Sequence, residues 1–155
     1  MTVEVYFWPP KGQNIGHAAI MVDGGSPPGK AYLSAWPGSM LSIIAGSGAF
    51  NAYSDDISSE GGPPQVVRLT KLDETAIKQQ IESCKRGGVY SFPGFNCATQ
   101  ASICLNAGVP YNTLHQALDF VAGLGNPTAF VTQTSTINTP WNLFLYAKAL
   151  ASKYA

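Results

Sequence analysis

A cysteine and a histidine carried by two different kinds of element constrain this chain most. Phe95-Asn96-Cys97-Ala98-Thr99-Gln100 runs on through Ala101, Ile103, Cys104 and Leu105 and stops at Gly108, a pattern that predicts a helix over 97–107 closed by a glycine. Cys97 then falls in the first turn. There the amides without intrahelical partners and the positive end of the helix dipole favour a thiolate, the form that attacks carbonyl carbon. Gly16-His17-Ala18-Ala19-Ile20, 80 positions upstream, reads as the start of a strand. A fold that seats this strand beside that helix start holds a thiol and an imidazole together, the minimum pair for covalent acyl chemistry.

The remaining elements come strands first and helices later, which gives an α+β class with a small antiparallel sheet packed against helices. Strands are expected over 3–8, ended by Pro9-Pro10, over 17–22, closed by Asp23-Gly24-Gly25, over 30–36, stopped by Pro37-Gly38, and over 65–69. Asp73 caps a helix over 73–86 with Ile77, Ile81 and Cys84 on one face and Gly87-Gly88 at its end. Val89-Tyr90-Ser91-Phe92 is an extended lead into the Cys97 helix. Further helices are expected over 114–122, behind Asn112 or Thr113, and over 140–153, where Thr139-Pro140 supplies a cap and a proline at the first helical position. The Gly/Ser-rich stretch from Pro37 to Pro64 is long for a structureless loop and carries an apolar patch, Met40, Leu41, Ile43 and Ile44, that reads as a lid, a short helix or a substrate wall. With 155 residues and no repeat or linker, the chain reads as one catalytic domain.

Charge and cysteine usage exclude several function classes. Lys plus Arg equals Asp plus Glu at nine each and no basic run exists, so a nucleic-acid partner is not expected. The 16 Gly and 11 Pro suit a compact domain with many turns. Met1-Thr2-Val3-Glu4-Val5-Tyr6 lacks the basic and apolar regions of a signal peptide, and no apolar run has the length of a membrane span. Synthesis in the cytoplasm is the expectation. A chain that enters its first strand at once also reads as a module of a larger polypeptide. Three cysteines without a CxxC pair argue against a disulfide framework or zinc knuckle and for a reducing compartment. Nothing in the chain asks for a metal or an organic cofactor.

In the mechanism these residues suggest, Cys97 attacks a carbonyl carbon and His17 takes its proton and later protonates the leaving group. Backbone amides around Asn96 and Cys97 stabilise the oxyanion. Gly16 lets backbone or substrate approach closely beside His17. The group that orients the imidazole is sought one strand over, at Ser34 or Tyr32, neither of which accepts hydrogen bonds as strongly as a carboxylate. Trp8, Trp36 and Trp141 are candidates to line an acyl groove, with core packing an equal explanation for each.

The order His then Cys, the Gly-His-Ala-Ala-Ile strand, the Tyr32-Leu33-Ser34-Ala35-Trp36-Pro37 strand and Asn96-Cys97-Ala98-Thr99 opening a helix resemble the circularly permuted branch of the NlpC/P60 papain-like superfamily, which includes the lecithin retinol acyltransferase-like enzymes. The resemblance covers residues 5 to 108. It implies a permuted papain-like fold and a thiol enzyme that moves or hydrolyses phospholipid acyl chains, or one that cleaves peptidoglycan amides. With Tyr6-Phe7-Trp8-Pro9 the chain is also similar to toxin domains that type VI secretion delivers between bacteria. That likeness implies delivery to a target cell's envelope and a cognate immunity protein covering the Cys97 cleft. Many relatives carry His, Glu or another strong acceptor in third position, where this strand offers Ser34.

The bland readings are equally definite. Cys84 and Cys104 are expected as small buried hydrophobes, His115 as a helix-end surface residue, and Asp55-Asp56 as a solvated turn. Phospholipid is preferred as substrate because charge is low and the segment from Met40 to Phe50 is apolar enough to receive an acyl chain. Stem-peptide carboxylates ask for a basic pocket, for which only Lys11, Lys30 and Arg68 stand scattered along the chain. The remaining alternative is a binding domain in which Cys97 is inert, no more reactive toward iodoacetamide than a free peptide thiol.

Overall fold

The computed structural model describes residues 1–39, 46–91, 95–110, 137 and 139–155. Within them the chain is α+β, with two small antiparallel sheets and four helices. The strands are β1 (Val3–Trp8), β2 (His17–Val22), β3 (Ala31–Leu33), β4 (Ala35–Pro37), β5 (Gly46–Phe50), β6 (Gln65–Leu69) and β7 (Val89–Tyr90). The helices are α1 (Tyr53–Glu60), α2 (Glu74–Gly87), α3 (Cys97–Ala107) and α4 (Pro140–Tyr154). One sheet has the order β3-β2-β1-β6 and the other β4-β5-β7. Among the described residues no helix is long and apolar enough to cross a membrane.

Strand periodicity decides which side chains meet. On β1, Val3, Val5 and Phe7 face a core shared with Ala18, Ile20 and Val22 of β2 and with Ile77, Ile81, Ala101, Leu105, Leu143 and Leu150 of the helices. The other parity sends Tyr6, Trp8 and Ala19 to a second cluster on the opposite face, where Tyr32 and Ile57 of α1 close over them. In the β1–β2 register Trp8 lies opposite His17, so the histidine belongs to this second, aromatic face. Both faces of β2 are covered, which is why it reads as an uninterrupted apolar run.

The caps read from the sequence are present. Asp73 accepts from the Ala76 amide at 2.9 Å, Asn96 from Thr99 at 3.1 Å and Thr139 from Asn142 at 3.1 Å. Gly88 ends α2 in the left-handed region at φ 59°. Gly108 ends α3 at φ −99°, which any residue adopts, so its smallness has another cause. A Cβ there would stand 2.6 Å from Ile77 Cδ1 and 2.8 Å from the Asp73 carbonyl, because the end of α3 is pressed onto the start of α2. Gly108→Ala is therefore expected to cost about 1–3 kcal/mol through forced displacement of α2. A lower urea midpoint at unchanged slope is the readout.

Three sequence expectations need correction. The strand over 30–36 is two strands in two sheets, β3 and β4, with Ser34 at the break between them. The stretch after Pro37 holds α1, in line with the short helix that is one of its sequence readings, and also β5, which is none of them. Gly-Ser-Gly-Ala-Phe lacks β-branched residues, and α1 offers only Tyr53 and Ile57 at helical spacing in a polar octapeptide. Asp55 does lie exposed at that helix start, accepting from the Ala52 amide at 3.2 Å, but Asp56 is fully buried and no solvated turn. The apolar patch Met40 to Ile44, the helix over 114–122 and His115 lie outside the described residues.

Candidate active site

His17 opens β2 and is 2 % exposed. Gly16 before it sits at φ +93°, and a Cβ there would lie 2.8 Å from the Trp8 carbonyl, so only glycine lets β2 begin this close to the end of β1. The imidazole stacks on Trp36, with ring centroids 4.3 Å apart, and has Trp8 on another side at 5.5 Å. Its Nε2 lies 2.8 Å from Ser34 Oγ and 3.6 Å from Asp56 Oδ2. Ser34 is thus brought to His17 as the sequence suggested, and a carboxylate the sequence reading dismissed stands behind it.

Asp56 is the centre of a buried hydrogen-bond network. The Trp36 indole N–H donates to Asp56 Oδ1 at 3.0 Å and to Ser34 Oγ at 3.0 Å, the Tyr32 hydroxyl donates to Asp56 Oδ2, and the Asn51 amide reaches Oδ1 at 3.4 Å. Burial alone would push this carboxyl up, but the His17 imidazole beside it and hydrogen bonds from Ser34 and Tyr32 outweigh it and hold the group down at about 2. The same burial, together with Asp56, pushes the Tyr32 phenol far up, so it stays a donor. A hydroxyl has one proton and two lone pairs. Trp36 can only donate and occupies one lone pair of Ser34; the other is open to an Nε2 proton of His17, and the Ser34 proton to Asp56. This satisfies every group when His17 carries hydrogen on Nε2, leaving Nδ1 as the second ring nitrogen.

Cys97 is the first residue of α3, 8 % exposed, behind the Asn96 cap. Asn96 Oδ1 is committed to the backbone and hydroxyl of Thr99, at 3.1 and 3.2 Å, so its expected oxyanion contribution falls to its main chain. The loop before Cys97 is fastened twice. Ser91 and Phe95 exchange backbone hydrogen bonds of 3.0 and 2.7 Å, and the buried Gln100 amide donates to the Val89 and Phe95 carbonyls at 3.0 and 3.4 Å. Burial lowers the pKa of His17, but the charge of Cys97, the hydrogen bond and charge of Asp56, and a hydrogen bond to Cys97 raise it to about 9. The cysteine is therefore within hydrogen-bond reach of the histidine. Burial, and after it the nearness of Cys97, push the Tyr90 phenol on β7 up.

No family model, no curated protein and no solved structure matches this chain. The site has to be read from its own chemistry. Cys97, His17, Ser34, Tyr32, Trp8 and Trp36 converge on one region, and the structure adds Asp56. The expected substrate-facing aromatics are tied inward: Trp8 donates to the Gly62 carbonyl at 2.8 Å, while Tyr32 and Trp36 donate to Asp56. Trp141 does not join them. It packs beside Phe7 and Phe144, at 5.8 and 5.9 Å, on the opposite face of the sheet, so the three tryptophans share no groove. Among the described residues no group of three or more His, Cys, Asp or Glu is placed to hold a metal.

One signal in the sequence pointed to Asp56. A triad with only a serine as third member lacks a charged acceptor, and between Leu33 and Gln65 the chain has just three carboxylates, Asp55, Asp56 and Glu60. The choice among them depended on an α-helix that the apolar pattern did not announce.

Proposed function

We propose that this chain is a cysteine-dependent acyl hydrolase or acyltransferase of the circularly permuted NlpC/P60 type, acting on phospholipid acyl esters. The observation that carries the proposal is a buried imidazole whose Nε2 side is held by Ser34 and Asp56 and which lies within hydrogen-bond reach of a cysteine at a helix N-terminus. Cys97 Sγ attacks the ester carbonyl carbon, forming the C–S bond of a tetrahedral intermediate whose oxyanion meets main-chain amides at the start of α3. His17, protonated through its Nδ1 side while Nε2–H rests on Ser34, gives that proton to the leaving alcohol oxygen as the C–O bond breaks. The products are lysophospholipid and a thioester. Water, losing a proton to His17, then attacks the thioester and frees the fatty acid and the thiol; an acceptor alcohol in its place gives acyl transfer.

Asp56, Ser34, Trp36 and Tyr32 act through His17 as positioning residues, stabilising the imidazolium and fixing its tautomer. The preference for lipid over stem peptide is supported by where the cations stand. Arg68, one of the three cations a peptide reading needs, is already paired with Glu4 at 2.7 Å. As an antibacterial domain delivered to a target envelope, the chain would be harmful there only with Cys97 intact, and its producer would carry a neutralising partner.

The test is mass spectrometry of phospholipid vesicles and, separately, purified peptidoglycan after incubation with wild type and Cys97→Ala. Lysophospholipid and fatty acid from wild type alone are the expected products. Muropeptide fragments instead would reassign the site to amide cleavage, and no product from either material would overturn the enzymatic reading.

A further inference from the structure

We propose that Cys84 and Cys104 are a redox site, a thiol pair that closes to a reversible disulfide tying α3, the helix that carries Cys97, to α2. Their sulfurs lie 3.8 Å apart in the interface between the two helices. A bonded pair needs about 2.0 Å, so closing it takes a further approach of the two sulfurs. The two helices are also joined away from the pair, where Gly108 at the end of α3 meets Ile77 and Asp73 at the start of α2 and the Asp73 amide donates to the Gly108 carbonyl at 3.0 Å.

The two thiols are unequal in the way that stepwise exchange requires. Cys84 lies in the last turn of α2 and is 6 % exposed, whereas Cys104 is 0 % exposed. The contact with Cys104 draws the Cys84 thiol down against the opposing effect of burial, and the Gln80 amide, donating to its sulfur at 3.9 Å, draws it the same way. The same contact and deeper burial push Cys104 up. Cys84 is therefore the attacking thiol and Cys104 the resolving one. Cys97 stands apart, about 10 Å up the helix axis from Cys104 and turned to His17, so three cysteines divide into a pair and a nucleophile.

With a low-molecular-weight disulfide such as oxidised glutathione, the Cys84 thiolate attacks one sulfur, forms a mixed disulfide and expels one glutathione thiolate. Cys104 then loses its proton and attacks Cys84 Sγ; the second glutathione thiolate leaves and takes that proton. Two protein thiols lose two electrons and one disulfide becomes two thiols. The closed pair stiffens α3 without touching Cys97, and the proposal is independent of the reaction assigned above.

The test is to incubate the full chain with oxidised glutathione, alkylate the remaining thiols, and map the peptides without reduction. A cross-link between the Cys84 and Cys104 peptides is expected, with Cys97 alkylated and the Tm raised by roughly 5–10 °C over the reduced protein. Cys84→Ser, at the less buried position, should lose both the link and the Tm gain. A persistent glutathione adduct on Cys84, a cross-link that includes Cys97, an unreacted pair, or a linked protein with unchanged or lower Tm would each overturn the proposal.

Discussion

Asp56→Asn is expected to lower kcat by about 10²–10⁴-fold, the range seen when a triad loses the carboxylate that sets its tautomer, or roughly 3–5 kcal/mol of transition-state stabilisation. The amide keeps the volume but loses the charge. It also turns a donor toward groups that are themselves donors, Tyr32 and Trp36. Ser34→Ala, which removes the atom closest to His17 Nε2, should cost only about tenfold, because a neutral hydroxyl contributes less to an imidazolium than a buried carboxylate. The pH profile separates orientation from mere structural support. His17 must be protonated to serve the leaving group, so kcat/KM falls as pH rises through about 9. Without the Asp56 charge that limb moves to lower pH. A kcat within about threefold of wild type, or an unmoved limb, would remove Asp56 from the mechanism. Stability follows by the same linkage. A carboxylate depressed from 3.8 to about 2 contributes stability above its unfolded value and loses it as pH falls toward the folded one. Wild type should therefore lose more stability than Asp56→Asn between those values in an acid titration followed by circular dichroism.

Cys97→Ala is expected to abolish turnover, a loss of at least about 10⁴-fold, with the Tm kept within about 2 °C. The substitution removes a single sulfur atom from the first turn of α3, so the cavity it leaves is small. It also removes the leading influence that raises His17, whose imidazole, followed by NMR, should titrate lower than in wild type. Retained turnover would exclude Cys97 as nucleophile, and a large fall in Tm would show that its role is packing.

What was legible in the chain and what was not divides along the range of the interactions. The caps at Asp73, Asn96 and Thr139 bond to amides three residues on, so sequence spacing contains the whole interaction. Strands β1, β2 and β6 carry their own alternation or apolar runs. The place of Cys97 at a helix start and of His17 at a strand start followed from those local rules. The division of the chain at Ser34 between two sheets did not, since Leu33 and Ala35 look alike and only their partners, Ile20 and Phe50, differ.

Thus the sequence by itself determined the α+β class, the helix that presents Cys97 and the strand that presents His17, because each rests on spacing within a single element. Only the tertiary structure brought Asp56 beside His17 and Ser34. Asp56 is polar, sits in a helix without an apolar stripe and has an exposed acidic neighbour, so nothing local marks it as buried. It becomes tolerable inside only when His17 from β2, Ser34 from between β3 and β4, Tyr32 from β3 and Trp36 from β4 all bring donors to one carboxylate. That convergence of separate elements is what a buried charge requires, and no stretch of sequence contains it.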